Sequence, residues 1–301
     1  MSTPGVTNLA GAGLGASFIE QLHGCGNFQG FVVEDILFEG SSTFQSIVVF
    51  RTQKLGRVLV LDGVVQTTEA DEFIYHEMLT HVPLMTAESL DRVLIVGGGD
   101  GGILREVLKH PVKTVDLVEI DEAVIRTARE YLPFLNRAGA CFDDSRANVI
   151  VQDAVAYLKR CSDKYDAIII DSTDPIGMAE ALYSEDFYRC CENTLTDRGV
   201  LSAQDGVVFF QAGEIAQSIA ALRRVGLFAG AYIAAVPTYF GGEMTFGLAG
   251  RNADVLKPSL ELLQRHYQRL SGTTKHYSPA VHGASLVLPK WIEDAVEGRV
   301  E

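Results

Sequence analysis

The chain has 301 residues, 47% of them apolar and 21% charged, and its formal net charge is −14. That balance belongs to a globular chain long enough for one large α/β domain, or for one domain plus a small lobe. No apolar run approaches the roughly 20 residues of a membrane span, and the acidic excess argues against nucleic acid, whose backbone needs a basic face. The charge suits solubility alone or a welcome for cationic substrates, and by itself does not choose between them.

Residues 1–15 are small, polar and nearly uncharged, without the basic start and apolar core of a signal peptide; they read as a mobile tail on a cytoplasmic protein. Cys25, Cys141, Cys161, Cys190 and Cys191 form no CxxC pair and no metal-like spacing, which fits reduced packing thiols. From Phe31 to Gln66 come short β-rich runs, 31–33, 46–50, 57–61 and 64–66, with Asp62-Gly63 as a turn signal. They predict a small antiparallel sheet, and the lobe is expected over residues 16–70.

From residue 71 to the end the rhythm becomes that of a catalytic α/β domain. A helix is expected over Glu72–Leu84, a strand over Arg92–Val96 running into a glycine loop, and a helix over Ile103–Lys109. A strand over Thr114–Val118 ends at Glu119, and a helix follows over Asp121–Tyr131. Strands over Asn148–Val151 and Ala167–Ile170 lead to Asp153 and Asp171. A helix near Glu214–Val225 and strands over Ala231–Val236 and Thr245–Ala249 complete the pattern. Nearly continuous apolar strands separated by helices imply a doubly wound, mostly parallel sheet covered on both faces. Ligands then bind beyond the carboxyl ends of its strands.

One acid after a strand usually caps a helix. Asp100, Glu119, Asp153 and Asp171 after four successive strands point instead to a site at one sheet edge. The loop Gly97-Gly98-Gly99-Asp100-Gly101-Gly102 has the G-x-G-x-x-G pattern between a strand and a helix, with Glu119 closing the next strand to hold ribose hydroxyls. A dinucleotide enzyme and an adenosine-sulfonium enzyme share these features. Asp100 separates them, because a carboxylate beside a pyrophosphate costs on the order of a few kcal/mol at an effective dielectric of about 20. Beside an ammonium or sulfonium it attracts.

Asp171 and Asp174, in Asp171-Ser172-Thr173-Asp174-Pro175, read either as a turn or as two carboxylates that bind and deprotonate an amine. The following Ile176–Ala181 stretch reads as a lid. His76 and His81 are five residues apart, about 140° around a helix, so they do not make the H-E-x-x-H zinc pair; His81 reads as structural.

The runs Leu61–Glu69, Asp71–Glu77, Gly97–Gly102, Asp171–Gly177 and Pro237-Thr238-Tyr239 resemble spermidine synthase signatures, over roughly Phe31 to Trp291. The resemblance implies a methyltransferase-like α/β fold with an N-terminal β lobe, a homodimer or homotetramer, decarboxylated S-adenosylmethionine as a co-substrate, and no metal or resident cofactor. By matching position it implies that Gln45, Glu119, Asp153 and Ala154 contact the thioadenosine, with Gly97 and Gly99 in the donor loop. Asp100 and Asp171 hold the donor ammonium, and Asp171 accepts the proton with help from Tyr75. His76, Asp174 and Tyr239 line the acceptor side, with Gln66 nearby. Putrescine is the first choice of acceptor, because the Asp71–His76 run resembles bacterial putrescine enzymes; cadaverine and agmatine stay open. Met178, Ala181 and Ala154 depart from the family's usual proline, serine and glycine, and Phe18 stands in the place of a frequent tryptophan that packs on the acceptor.

The rivals are a methyltransferase using the intact donor, whose carboxylate Asp100 repels; an oxidoreductase, disfavoured by Asp100 and by the Asp171–Asp174 pair; and a noncatalytic polyamine-binding module, which has no need of Tyr75, Asp171 and Asp174 together.

Overall fold

The computed structural model of the chain describes residues 7–8, 16–22, 26–174 and 177–299. Among them the strands form three sheets. The first joins β1 (Thr7–Asn8) to the hairpin β2 (Ala16–Leu22) and β3 (Asn27–Val32). The second is an antiparallel meander of β4 (Asp35–Ser41), β5 (Ser46–Thr52), β6 (Gly56–Leu61) and β7 (Val64–Thr68). The rest of the expected tail, and Cys25, lie outside the described residues. Residues 31–33 were expected in the meander; Phe31 and Val32 instead pair with β2. Cys141, Cys161, Cys190 and Cys191 are free thiols.

The third sheet has seven strands in the order β10-β9-β8-β11-β12-β14-β13. These are β8 (Arg92–Gly97), β9 (Thr114–Glu119), β10 (Ala147–Val151), β11 (Tyr165–Asp171), β12 (Leu195–Val207), β13 (Phe228–Ala235) and β14 (Glu243–Gly250). The run from β10 to β12 is parallel, and β14 and β13 close it antiparallel. Val93–Val96 and Tyr165–Ile170 are wholly buried because helices cover both faces, which is why these strands read as unbroken apolar runs. One face packs against α1 (Glu72–Thr86) and α2 (Gly102–Val107), the other against α5 (Ala154–Arg160), α6 (Glu185–Thr194), α7 (Val208–Arg224) and α10 (Lys290–Val296). The helices α8 (Leu260–Tyr267) and α9 (Pro279–Ser285) lie toward the C-terminus. The helix expected from Glu214 begins earlier, at Val208, with a kink at Gln211.

The chain runs outward from β8 through β9 to β10, then returns to place β11 on the other side of β8. Between β8 and β11 lies the switch point where loops diverge and leave a crevice. The meander is held over this edge by Ile47, Val49, Leu59 and Leu61, which pack on Val124 and Ala128 of α3 (Glu122–Tyr131), Leu135 of α4 (Pro133–Asn136) and Leu132 between them.

Candidate active site

A cavity of about 620 Å³ opens at the switch point, between the carboxyl edge of the large sheet and the N-terminal lobe. It is lined by Gln45, Gln66, Tyr75, His76, Gly97, Gly99, Asp100, Glu119, Asp153, Ala154, Asp171, Asp174 and Tyr239, the donor-binding, acceptor-binding and catalytic candidates of the sequence.

The glycine loop and Asp171 are built as one piece. Gly97 pairs with Asp171 across β8 and β11, and Gly98 donates its N–H to the Asp171 carbonyl at 3.0 Å. Gly97 has φ +77°, and a Cβ there would stand 2.1 Å from that carbonyl oxygen, so only glycine fits. Asp100 Oδ1 accepts from the Gly102 N–H at 2.7 Å, which fixes the carboxylate at the start of α2.

On the other side of the crevice Tyr75 donates its hydroxyl to Asp171 Oδ1 at 2.6 Å. Burial and the Asp171 charge push the Tyr75 phenol well above its ordinary pKa, so it stays protonated and acts as a donor. Burial and the Asp100 charge push Asp171 up to about 6, while His76 and the Tyr75 hydroxyl pull it back.

His76 Nδ1 lies 2.7 Å from Glu72 and Nε2 lies 3.5 Å from Asp100. Burial opposes a charge on this ring, but Asp100 and Glu72 outweigh it and lift the imidazole to about 10. The same pairing outweighs burial at Asp100 and holds its carboxyl below its ordinary range. His76 lines the cavity beside Asp100. It is buried with both ring nitrogens turned to carboxylates, Glu72 on one side and Asp100 on the other. Atoms of His76, Asp100 and Asp171 come within 4.8 Å of one another.

Farther along the sheet edge, Glu119 accepts from the Gly99 N–H at 3.1 Å and the Asp121 N–H at 2.9 Å. Burial raises its carboxyl to about 7, with those N–H groups pulling the other way. Gln45 reaches from the lobe and donates to Asp121 at 3.0 Å, tying the meander to the start of α3. Asp153 accepts from the Ala156 N–H at 2.7 Å, so this acid caps α5 and lines the cavity at once. Ala154 begins the same helix, 9% exposed.

Tyr239 donates to the Gln66 carbonyl and meets Tyr75 edge-on with ring centroids 5.8 Å apart. Asp71 anchors that wall, accepting from Thr68 at 2.6 Å and from the Thr238 N–H at 2.8 Å. Gly177–Tyr183 forms a 3-10 turn over the cavity edge, where Ala181 lines the wall; Pro175, Ile176 and the Met178 side chain lie outside the described residues.

Sequence reading missed Glu20 and Gln29, which line the cavity from the β2–β3 hairpin. Glu20 is buried, accepting from the Val65 N–H at 2.9 Å and from the Gln29 amide at 2.5 Å. Phe18 is corrected: it is 1% exposed and packs on Phe50 at 5.2 Å and Phe31 at 6.3 Å, inside the lobe and away from the cavity wall.

A family model described as the spermine/spermidine synthase domain matches residues 72–258, and one described as the spermidine synthase tetramerisation domain matches 18–69. The polyamine aminopropyltransferase of Pectobacterium atrosepticum is 44% identical over 280 residues, covering 92% of this chain and 96% of that protein. The one from Pseudomonas syringae pv. tomato is 45% identical over 271 residues, covering 89% and 93%. Among solved structures, a spermidine synthase in complex with the transition-state analogue AdoDATO superposes with a TM-score of 0.87 at 35% identity, covering 93% of this chain and 94% of that one. The spermidine synthase of Thermotoga maritima gives 0.85 at 33%, covering 94% of both. With two family models spanning the lobe and most of the α/β domain, and such relatives matched over nearly their whole length, the chain belongs to the spermine/spermidine synthase family.

Proposed function

We propose that this chain is an aminopropyltransferase that moves the aminopropyl group of decarboxylated S-adenosylmethionine to putrescine, giving spermidine and methylthioadenosine. The observation that carries the reading is the convergence of Tyr75, Asp171 and Asp100 in the one cavity that Glu119 also lines.

The amine nitrogen attacks the aminopropyl carbon bonded to sulfur, and the C–S bond breaks. Its electron pair returns to the sulfonium, which leaves as a neutral thioether and needs no acid. The amine does need to lose a proton, since alkyl ammonium groups have a pKa near ~10.4. Asp171 takes it, with Tyr75 holding the carboxylate in line. The mismatch is narrowed from both sides: burial has raised Asp171 to about 6, and a sulfonium beside the bound amine lowers the amine. Holding both substrates in line supplies much of the rest.

Asp100 receives the donor ammonium together with Asp171; Glu119 takes the ribose hydroxyls; Gln45, Asp153, Ala154, Gly97 and Gly99 frame the thioadenosine. Asp174, Gln66 and Tyr239 face the acceptor, and no metal or resident cofactor takes part. The match of residues 18–69 to a tetramerisation domain supports a homo-oligomer, dimer or tetramer. Among the described residues no helix is long and apolar enough to cross a membrane. Incubation with radiolabelled decarboxylated donor and putrescine, cadaverine or agmatine tests the reading. Label is expected in spermidine, with methylthioadenosine released. Label in none of the amines overturns the activity, and label in another amine overturns the acceptor.

A further inference from the structure

Behind Asp100 a file of paired charges leaves the cavity and enters the packed layer between α1 and α2. Asp100 faces His76, and His76 faces Glu72. Glu72 is clasped by Arg105 through both oxygens, at 2.8 Å and 3.1 Å. Arg105 goes on to Glu106 at 2.8 Å and to the Phe134 carbonyl at 2.8 Å. The His76 and Glu72 side chains are 2% and 5% exposed, and neither Glu72 nor Arg105 lines the cavity. Each buried ion carries a desolvation penalty, and an apolar layer of the same volume avoids it. Stability is therefore a weak reason for this file to exist.

We infer that Glu72 and Arg105 are positioning residues for the transfer reaction: they hold His76 as an imidazolium against Asp100, so that Asp171 stays ionised beside a compensated neighbour. The inference rests on Asp171 being the proton acceptor.

Two carboxylates within 4.8 Å do not both stay ionised unless a cation stands beside them. Among the described residues that cation is His76. An imidazole set between two carboxylates donates from both nitrogens, and only the protonated ring has two N–H groups. Arg105 completes the device. His76 first, and then the Arg105 fork, outweigh burial and keep the Glu72 carboxyl below its ordinary range, so Glu72 does not take the proton back. Gly102 permits the close approach of loop and ring, since a Cβ there would lie 2.4 Å from His76 Nε2. The other titratable groups facing this set are Tyr75 on α1, Glu106 on α2, Tyr239 in the β13–β14 connection and Cys141 beside the glycine loop. None of them supplies a positive charge.

The test is the pH profile of kcat/KM in Glu72→Gln and His76→Gln, which keep a hydrogen-bonding side chain and lose the charge. The acid limb is expected to move up by roughly one pH unit, with activity returning toward wild type near pH ~9. Loss of activity by the same factor at every pH, with the limb unmoved, overturns the inference and leaves a merely structural role; an unchanged profile overturns it as well. Melting temperature and methylthioadenosine binding report folding. Should Glu72→Gln, which strands Arg105, not fold, His76→Gln carries the test, and Arg105→Lys should move the limb the same way by less. Wild-type protein that releases no methylthioadenosine, or Asp171→Asn that keeps its turnover, overturns the reading of the reaction instead.

Discussion

Tyr75 and Asp171, 96 residues apart in the chain, meet at 2.6 Å in the wall of the cavity, with the phenol as donor and the carboxylate as acceptor. The bond leaves the carboxylate free to accept on its other oxygen while its plane is held. Asp171→Asn keeps the shape and removes the basicity, so kcat should fall by about 10²- to 10⁴-fold. Binding of methylthioadenosine, measured by calorimetry, should stay near wild type. Turnover within a few-fold of wild type would sink the base assignment.

Tyr75→Phe separates orientation from basicity. The hydroxyl pulls the Asp171 carboxyl down against burial and the Asp100 charge, so its loss raises Asp171 above its present value of about 6. A base acts only when ionised. The wild-type kcat/KM should therefore fall as pH drops through about 6, and in Tyr75→Phe the fall should begin at higher pH. A rate profile from pH ~5 to ~9 in both proteins checks this. An acid limb that stays put in the variant would mean Tyr75 does not set the basicity of Asp171.

Asp100→Ser tests donor selection. In the wild type Asp100 already faces the His76 imidazolium, so the pair is nearly neutral before substrate arrives, and a donor ammonium meets a carboxylate fixed by Gly102. Without Asp100 the carboxylate that attracts an ammonium and repels a carboxylate at the donor terminus is gone. The ratio of dissociation constants for intact and decarboxylated S-adenosylmethionine should shrink by about tenfold or more, an effect of roughly 1.4 kcal/mol. An unchanged ratio would place the filter elsewhere.

Much of this site could be read from the chain because parallel strands announce themselves. Apolar runs end where Asp100, Glu119, Asp153 and Asp171 begin, and that edge is where the cavity lies. The remainder depends on tertiary packing. Glu20 and Gln29 sit on a hairpin whose strands carry no strong apolar alternation, and β4, mostly exposed or half-buried, was invisible for the same reason. Phe18 and Glu20 share one face of β2; two residues of advance carry the chain from the lobe's aromatic interior to the cavity wall. Glu72 and Arg105 are 33 residues apart on different helices, and only the contact of α1 with α2 makes them partners.

Asp205 gives a stability prediction outside the site. It lies within the buried run of β12 and is 1% exposed, and burial raises its carboxyl to about 8. In the folded protein it is a neutral acid at pH 7, whereas in the unfolded chain it ionises near its ordinary value of 3.8. A raised acid binds its proton more tightly when folded, so its contribution is intact below about pH 4 and is lost as pH climbs toward about 8. The slope is about 1.4 kcal/mol per pH unit across that window. Asp205→Asn removes this share of the slope at a constant cost for its buried amide. Urea midpoints at pH ~5, ~7 and ~9 should show the variant gaining on wild type as pH rises. Parallel curves for the two proteins would mean that Asp205 is ionised in the fold.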